Sequence, residues 1–97
     1  MKRPPPTISD LRVLFFTPID WRHTPTDATV HTVAGEPFGP AAGLAICQDP
    51  TSSAVYLFYC DDNWDPVTDT WHANVEDAKE QAEFEYAGTL QSWESLP

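Results

Sequence analysis

Positive charge is scarce in this chain. Its 97 residues hold five Lys and Arg against fifteen Asp and Glu, a formal net charge of −10. Lys2, Arg3, Arg12 and Arg22 all fall near the N-terminal end, and beyond them Lys79 is the only cation. So negative a body repels phosphate backbones and anionic headgroups, which argues against direct binding of nucleic acid or of an anionic membrane. Cysteine is scarce too: Cys47 and Cys60 are the only two, and their spacing forms no metal motif. Long apolar runs are missing. "LRVLFFTPI" is short and carries Arg12, and nothing approaches the roughly 20 residues of a membrane span. "MKRPPPTISD" starts positive but has no apolar segment behind it, so no secretory signal is read and a cytoplasmic protein is expected. A glycine-rich phosphate loop, a serine elbow and a His-Glu-x-x-His helix are all absent, as are internal repeats.

What is present suits one small folded domain. Hydrophobic residues make up 41% of the chain and aromatics 12%, enough bulky material for a modest core. Residues 1–9, with Pro4 to Pro6, read as a flexible polyproline arm, leaving 10–97 as a single domain. "LRVLFFT" (11–17) predicts a strand ended by Pro18. Residues 18–42 are punctuated by proline and glycine and read as loop, with a short strand within "ATVHTV". "GLAICQ" (43–48) and "AVYLFYC" (54–60) flank "DPTSS" and predict a β-hairpin with a five-residue loop. A symmetric loop sets Ile46 against Tyr56 and Leu44 against Phe58. Cys47 then faces Val55, roughly 17 Å from the level of Cys60 and outside disulfide reach.

The stretch "CDDNWDPVTDTWH" (60–72) follows. Asp62-Asn63 suits a tight turn, and Pro66 marks the returning strand as an edge or a bulge. Asn74 is the expected N-cap of a helix through "NVEDAKEQAEFEYAG", with Gly88 beyond its end. Val75, Ala78, Ala82 and Tyr86 share one face at 100° per residue, and Phe84 lies off it. The fold class is therefore α+β: an antiparallel sheet of about four to five strands with one C-terminal helix packed on a face.

The segment from Tyr56 to Tyr86 resembles a signature of small uncharacterised bacterial proteins. The matching parts are a hydrophobic strand ending in Cys60-Asp61, then Asn63-Trp64, then Asp69-Thr70-Trp71-His72, then a helix reading Ala-Lys-x-Gln-Ala-Glu-Phe-Glu-Tyr. The resemblance implies no activity and transfers no catalytic residue. Acidic proteins of this size also bear a general likeness to toxin-neutralising immunity proteins.

Three chemistries compete for the acidic segment. A metal site would use aspartates with His72 and Cys60, but neither zinc spacing nor the glycine and glutamate of a calcium loop is present. A small enzyme or metal protein would use Cys60, Asp69 and His72. A binding surface accounts for more of the residues, and no cofactor is called for. On the hairpin it comprises Asp61, Asp62, Trp64, Asp65 and Asp69; Trp71 is at least as well explained as core. On the helix it comprises Glu76, Glu80, Glu83 and Phe84. Aromatic anchors ringed by acids suit a basic protein partner. The row Glu76, Asp77, Glu80 and Glu83 would also imitate a phosphate row, although a solvated helix face explains it more simply. Homodimerisation through the edge strand is a further expectation.

Overall fold

A computed structural model describes residues 1–96. Along the chain run β1 (Thr7–Ile8), β2 (Leu11–Pro18), β3 (Thr24–Pro25), β4 (Thr32–Val33), β5 (Glu36–Pro37), β6 (Gly43–Gln48), β7 (Val55–Cys60) and β8 (Pro66–His72). Helix α1 (Val75–Glu85) follows, then β9 (Tyr86–Ala87), a 3₁₀ turn (Thr89–Gln91) and β10 (Glu94–Ser95). The main sheet is antiparallel and six-stranded. Its order is β1-β2-β6-β7-β8, with β10 also paired to β2. Two short ribbons, β3 with β9 and β4 with β5, complete the fold. The class is α+β as expected. The sheet has six strands where four to five were expected: the expected free arm and the tail each contribute one, and the short strand expected within "ATVHTV" lies outside it. The helix is not the last element.

The N-terminal segment is the first correction. Ser9 and Asp10 both take positive φ (51° and 64°), the backbone of a tight hairpin turn that matches sheet twist. That turn folds β1 back onto β2, with Ile8 opposite Leu11. Ile8 and Pro4 are buried, and the Val13 amide donates to the Pro6 carbonyl at 2.9 Å. Residues 1–9 are thus a docked strap over the sheet.

The central hairpin forms, but one residue out of the predicted register. Ile46 faces Leu57, Leu44 faces Tyr59 and Gln48 faces Val55. A six-residue connection (49–54) replaces the symmetric five, held by Gln48, whose amide donates to the carbonyls of Asp49, Ser52 and Ala54. Because side chains alternate, one residue of slip exchanges the faces of β7 relative to β6. Leu44, Ile46, Val55, Leu57 and Tyr59 share the helix face with Ala78, Ala82 and Tyr86. Ala45, Cys47, Phe58 and Cys60 lie on the other face with Ile8, Val13, Phe16 and Trp64. Both faces are covered. That is why both strands read as nearly continuous apolar runs.

Helix α1 begins as its sequence dictates. The Asn74 side chain accepts the Asp77 amide at 2.8 Å, satisfying one of the open donors at the helix start. The helix leaves the His72 end of β8 and runs back across the sheet, with Ala78 and Ala82 fully buried against it. Residues 19–42 then wrap the C-terminal end of the helix. Thr24 and Pro25 pair with Ala87 and Tyr86, and Phe38 packs into the helix-face core.

Candidate functional site

The helix presents the clearest surface. Glu76, Glu80 and Phe84 follow one another at intervals of four, so they form one exposed stripe. Phe84 is 58% exposed. Glu83 does not belong to the free face. Its two carboxylate oxygens accept the Gly88 amide at 3.0 and 3.1 Å, and one also takes the Leu90 amide at 3.0 Å. Asp77 is half occupied with the N-cap. The imagined phosphate row is therefore broken.

The hairpin candidates separate from this stripe. Asp61 organises the turn: its Oδ1 accepts the amides of Asn63 (2.9 Å) and Asp65 (3.0 Å). Trp64, rather than Asp62 or Asn63, takes the left-handed backbone (φ 64°), and this turns the indole inward. Trp64 is 4% exposed. It packs edge-on to Phe16 at 5.9 Å, and its Nε1–H donates to the Lys2 carbonyl at 2.7 Å. Trp64 is a core residue and not a surface anchor. Asp62 and Asp65 stay in water beside it. Asp69 stands opposite Phe58 and Trp71 opposite Tyr56, so both lie on the face away from the helix. Trp71, for which core and surface were both open, is 58% exposed. The turn and the helix start lie at opposite ends of β7, about 17 Å apart by strand rise. The acids are two patches, not one.

The Cys60–Asp69–His72 arrangement does not form. Cys60 pairs with Pro66 and His72 with Val55, at opposite ends of the strand pair, and their side chains point to opposite faces. Burial pushes both thiols up to about 12, so neither is a ready nucleophile. Cys47, opposite Tyr56, stays free, as does Cys60. Among the described residues no group of three His, Cys, Asp or Glu is placed to hold a metal ion.

Sequence reading missed two features. The first is Trp21, which is 91% exposed at the tip of a rigid turn. The Asp20 carboxylate accepts the Arg22 amide, Nε and Nη2, each at 3.0 Å, and this ion pair holds its pKa down at about 2. The His23 amide closes the turn onto the Asp20 carbonyl at 3.0 Å. Buried His23 anchors it from below. Its Nδ1 accepts the Asp20 amide (3.1 Å) and its Nε2 reaches Ser92 Oγ (2.8 Å), which contacts Thr17 Oγ1 (2.8 Å). Ser92, His23 and Asp20 resemble a hydrolytic triad in composition only. With Nδ1 accepting a backbone N–H, the neutral ring carries its proton on Nε2 and donates it to the serine. A serine nucleophile needs the reverse. The network is a clamp.

The second is Glu85. It occupies the buried stripe seven residues after Ala78 and is itself buried. Its carboxylate accepts the Tyr59 hydroxyl, the Gln81 amide (3.0 Å) and His31 Nε2 (2.7 Å). Thr68 Oγ1 contacts His31 Nδ1 at 3.0 Å, and the imidazole lies tilted at 43° against the Tyr59 ring, 4.1 Å between centroids. Burial and then the Glu85 contact push the Tyr59 phenol up. A cavity of about 250 Å³ opens beside this cluster, between the helix end and the 25–40 segment. Since every side-chain polar atom of Glu85 and His31 is engaged, the cluster ties the long connection to the helix and sheet. The signal was present: an acid on the apolar stripe of the helical wheel.

No helix of the described residues is long and apolar enough to cross a membrane. Comparison of the chain with protein-family models, curated proteins and solved structures finds no match in any of the three.

Proposed function

We propose that this chain is a non-catalytic protein-binding module for a basic partner, and that it binds through the end of the molecule where Phe84 and Trp21 are exposed. The observation that supports this is the pair itself: two large aromatics left in water, each on a rigid element. Phe84 continues the acidic stripe of Glu76 and Glu80. The Thr26 hydroxyl donates to the Phe84 carbonyl at 2.6 Å, and the Arg22 carbonyl lies against Gly88, so the two carriers are joined. Gly88 there has φ 105° and no room for a Cβ. Rigid aromatics lose little entropy on docking and dominate many interfaces. The surrounding acids speed encounter with a basic surface and make it sensitive to salt. Inhibitor or immunity behaviour belongs to this reading.

The test is affinity capture from the source cells at low and at raised salt, followed by calorimetry with the recovered partner. A basic protein should bind at low salt and weaken as salt rises. Phe84→Ala and Trp21→Ala should each weaken it at least about tenfold, as hot-spot residues do. Binding that survives both substitutions, or that strengthens with salt, would refute this surface.

A further inference from the structure

The outer edge of β2 is shared. β1 pairs with its first residues, through Leu11–Arg12, and β10 with Phe15–Phe16 further along. Between them β2 bulges, with Leu14 as the extra residue where the register to β6 shifts. This leaves a groove of about 540 Å³, well inside the ~300–1,000 Å³ span of small-molecule sites. Pro4 and Pro6 of the strap, Leu14 and Phe15 of β2, and Leu96 line it. One lining residue is charged, Arg12. Among the described residues Arg12 enters no ion pair. The Lys79 ammonium, also outside any such pair, sits 4.0 Å from the centre of the Phe15 ring. An acidic chain with five cations thus places one of them, unpaired, on the lining of its apolar groove, and a second against the ring of a lining residue.

We infer that this groove binds a small amphiphile with a single anionic head, of the fatty-carboxylate class, taken up as a free monomer. The apolar walls take the alkyl chain and Arg12 pairs with the carboxylate. A guanidinium offers that group two parallel N–H donors. A cationic head would meet Arg12 instead, and a neutral one would leave it without a partner. The strap that lines the groove is held by the Val13 amide to the Pro6 carbonyl and by the Trp64 indole to the Lys2 carbonyl, so the groove is preformed.

The experiment is a ¹H–¹⁵N NMR titration of the full chain with sodium decanoate below its micelle concentration. Saturable shifts are expected at Arg12–Phe15 and Leu96. Octanoate, two methylenes shorter, should bind about tenfold more weakly, and decanol should also lose about tenfold for want of the charge-assisted contact. Arg12→Gln, on an exposed side chain that the fold does not need, should cost decanoate about tenfold and leave decanol unchanged. Vesicles of anionic phospholipid should produce no shifts. The inference is overturned by shifts that do not saturate or that map elsewhere, by equal affinity for decanol and decanoate, by indifference to Arg12→Gln, or by a response to vesicles but not to decanoate.

Discussion

Replacing Trp64 separates a core role from a surface role. The indole is 4% exposed, touches Phe16, donates to the Lys2 carbonyl, and lies over Gly43. Truncating a buried tryptophan to alanine removes about 3–5 kcal/mol, the lost hydrogen bond included. A domain of this size has about 5–15 kcal/mol in all, so Trp64→Ala should leave it marginal. Trp64→Phe keeps the edge-on contact and should lose about 1–2 kcal/mol. Gly43 supplies an internal check. A Cβ there would stand 2.6 Å from Trp64 Cζ3 and 2.7 Å from Cη2, atoms that a phenyl ring lacks. Gly43→Ala should therefore destabilise the wild type by about 1–3 kcal/mol through overpacking. In the Trp64→Phe background it should cost at least about 1 kcal/mol less, a positive coupling in a double-mutant cycle. Urea unfolding followed by far-UV circular dichroism, with the slopes compared, gives all four stabilities. Loss of under about 1 kcal/mol for Trp64→Ala, or the same Gly43→Ala cost in both backgrounds, would show that the indole is not seated on Gly43.

Three further outcomes follow from the buried polar groups. Glu85→Ala strands the donors of Tyr59, Gln81 and His31 and should cost about 3–5 kcal/mol in urea unfolding, whereas Glu85→Gln keeps an acceptor and should cost less. Burial lowers the pKa of His23 in the folded state, so the unfolded chain takes up its proton first. Stability should be full above the ordinary value of 6.5 and fall as pH drops towards the lowered one, by at most about 1.4 kcal/mol per pH unit for this group. His72 is shifted the same way, so the slope between pH 7 and 5 should flatten in part with His23→Gln and further with His72→Gln added. Both cysteines should resist a thiol reagent at pH 8 in the folded protein and react fully in urea; rapid reaction of Cys60 in the folded state would reopen a nucleophilic role.

Much of the architecture was legible because it rests on local rules. Asn74 capping its helix, the Ala78–Ala82 stripe, and Pro66 at the start of an edge strand all follow from backbone chemistry within a few residues. The misreadings share a cause of another kind. The 49–54 connection contains six residues because the Gln48 side chain gathers three of its carbonyls, a tertiary device that no turn rule anticipates. That one residue exchanged the faces of β7. Both faces are apolar here, so hydrophobic alternation offered no warning.

Trp64 and Glu85 show how charge misleads in an acidic chain. Aspartates on both sides made Trp64 look wet, yet Asp61 spends its carboxylate on the amides of Asn63 and Asp65. The turn it builds points the next aromatic inward. Glu85 stands in an acid-rich helix, yet it holds the long connection through His31 and the sheet through Tyr59. Acids that fold the chain and acids left for a partner therefore cannot be told apart by density along the sequence. They are told apart by what their oxygens accept. Asp20, Asp61, Glu83 and Glu85 hold local backbone or side-chain donors, whereas Asp62, Asp65 and Asp69 on the hairpin and Glu76 and Glu80 on the helix hold none among the described residues, and of these only the helix pair runs in one stripe to an exposed aromatic, Phe84.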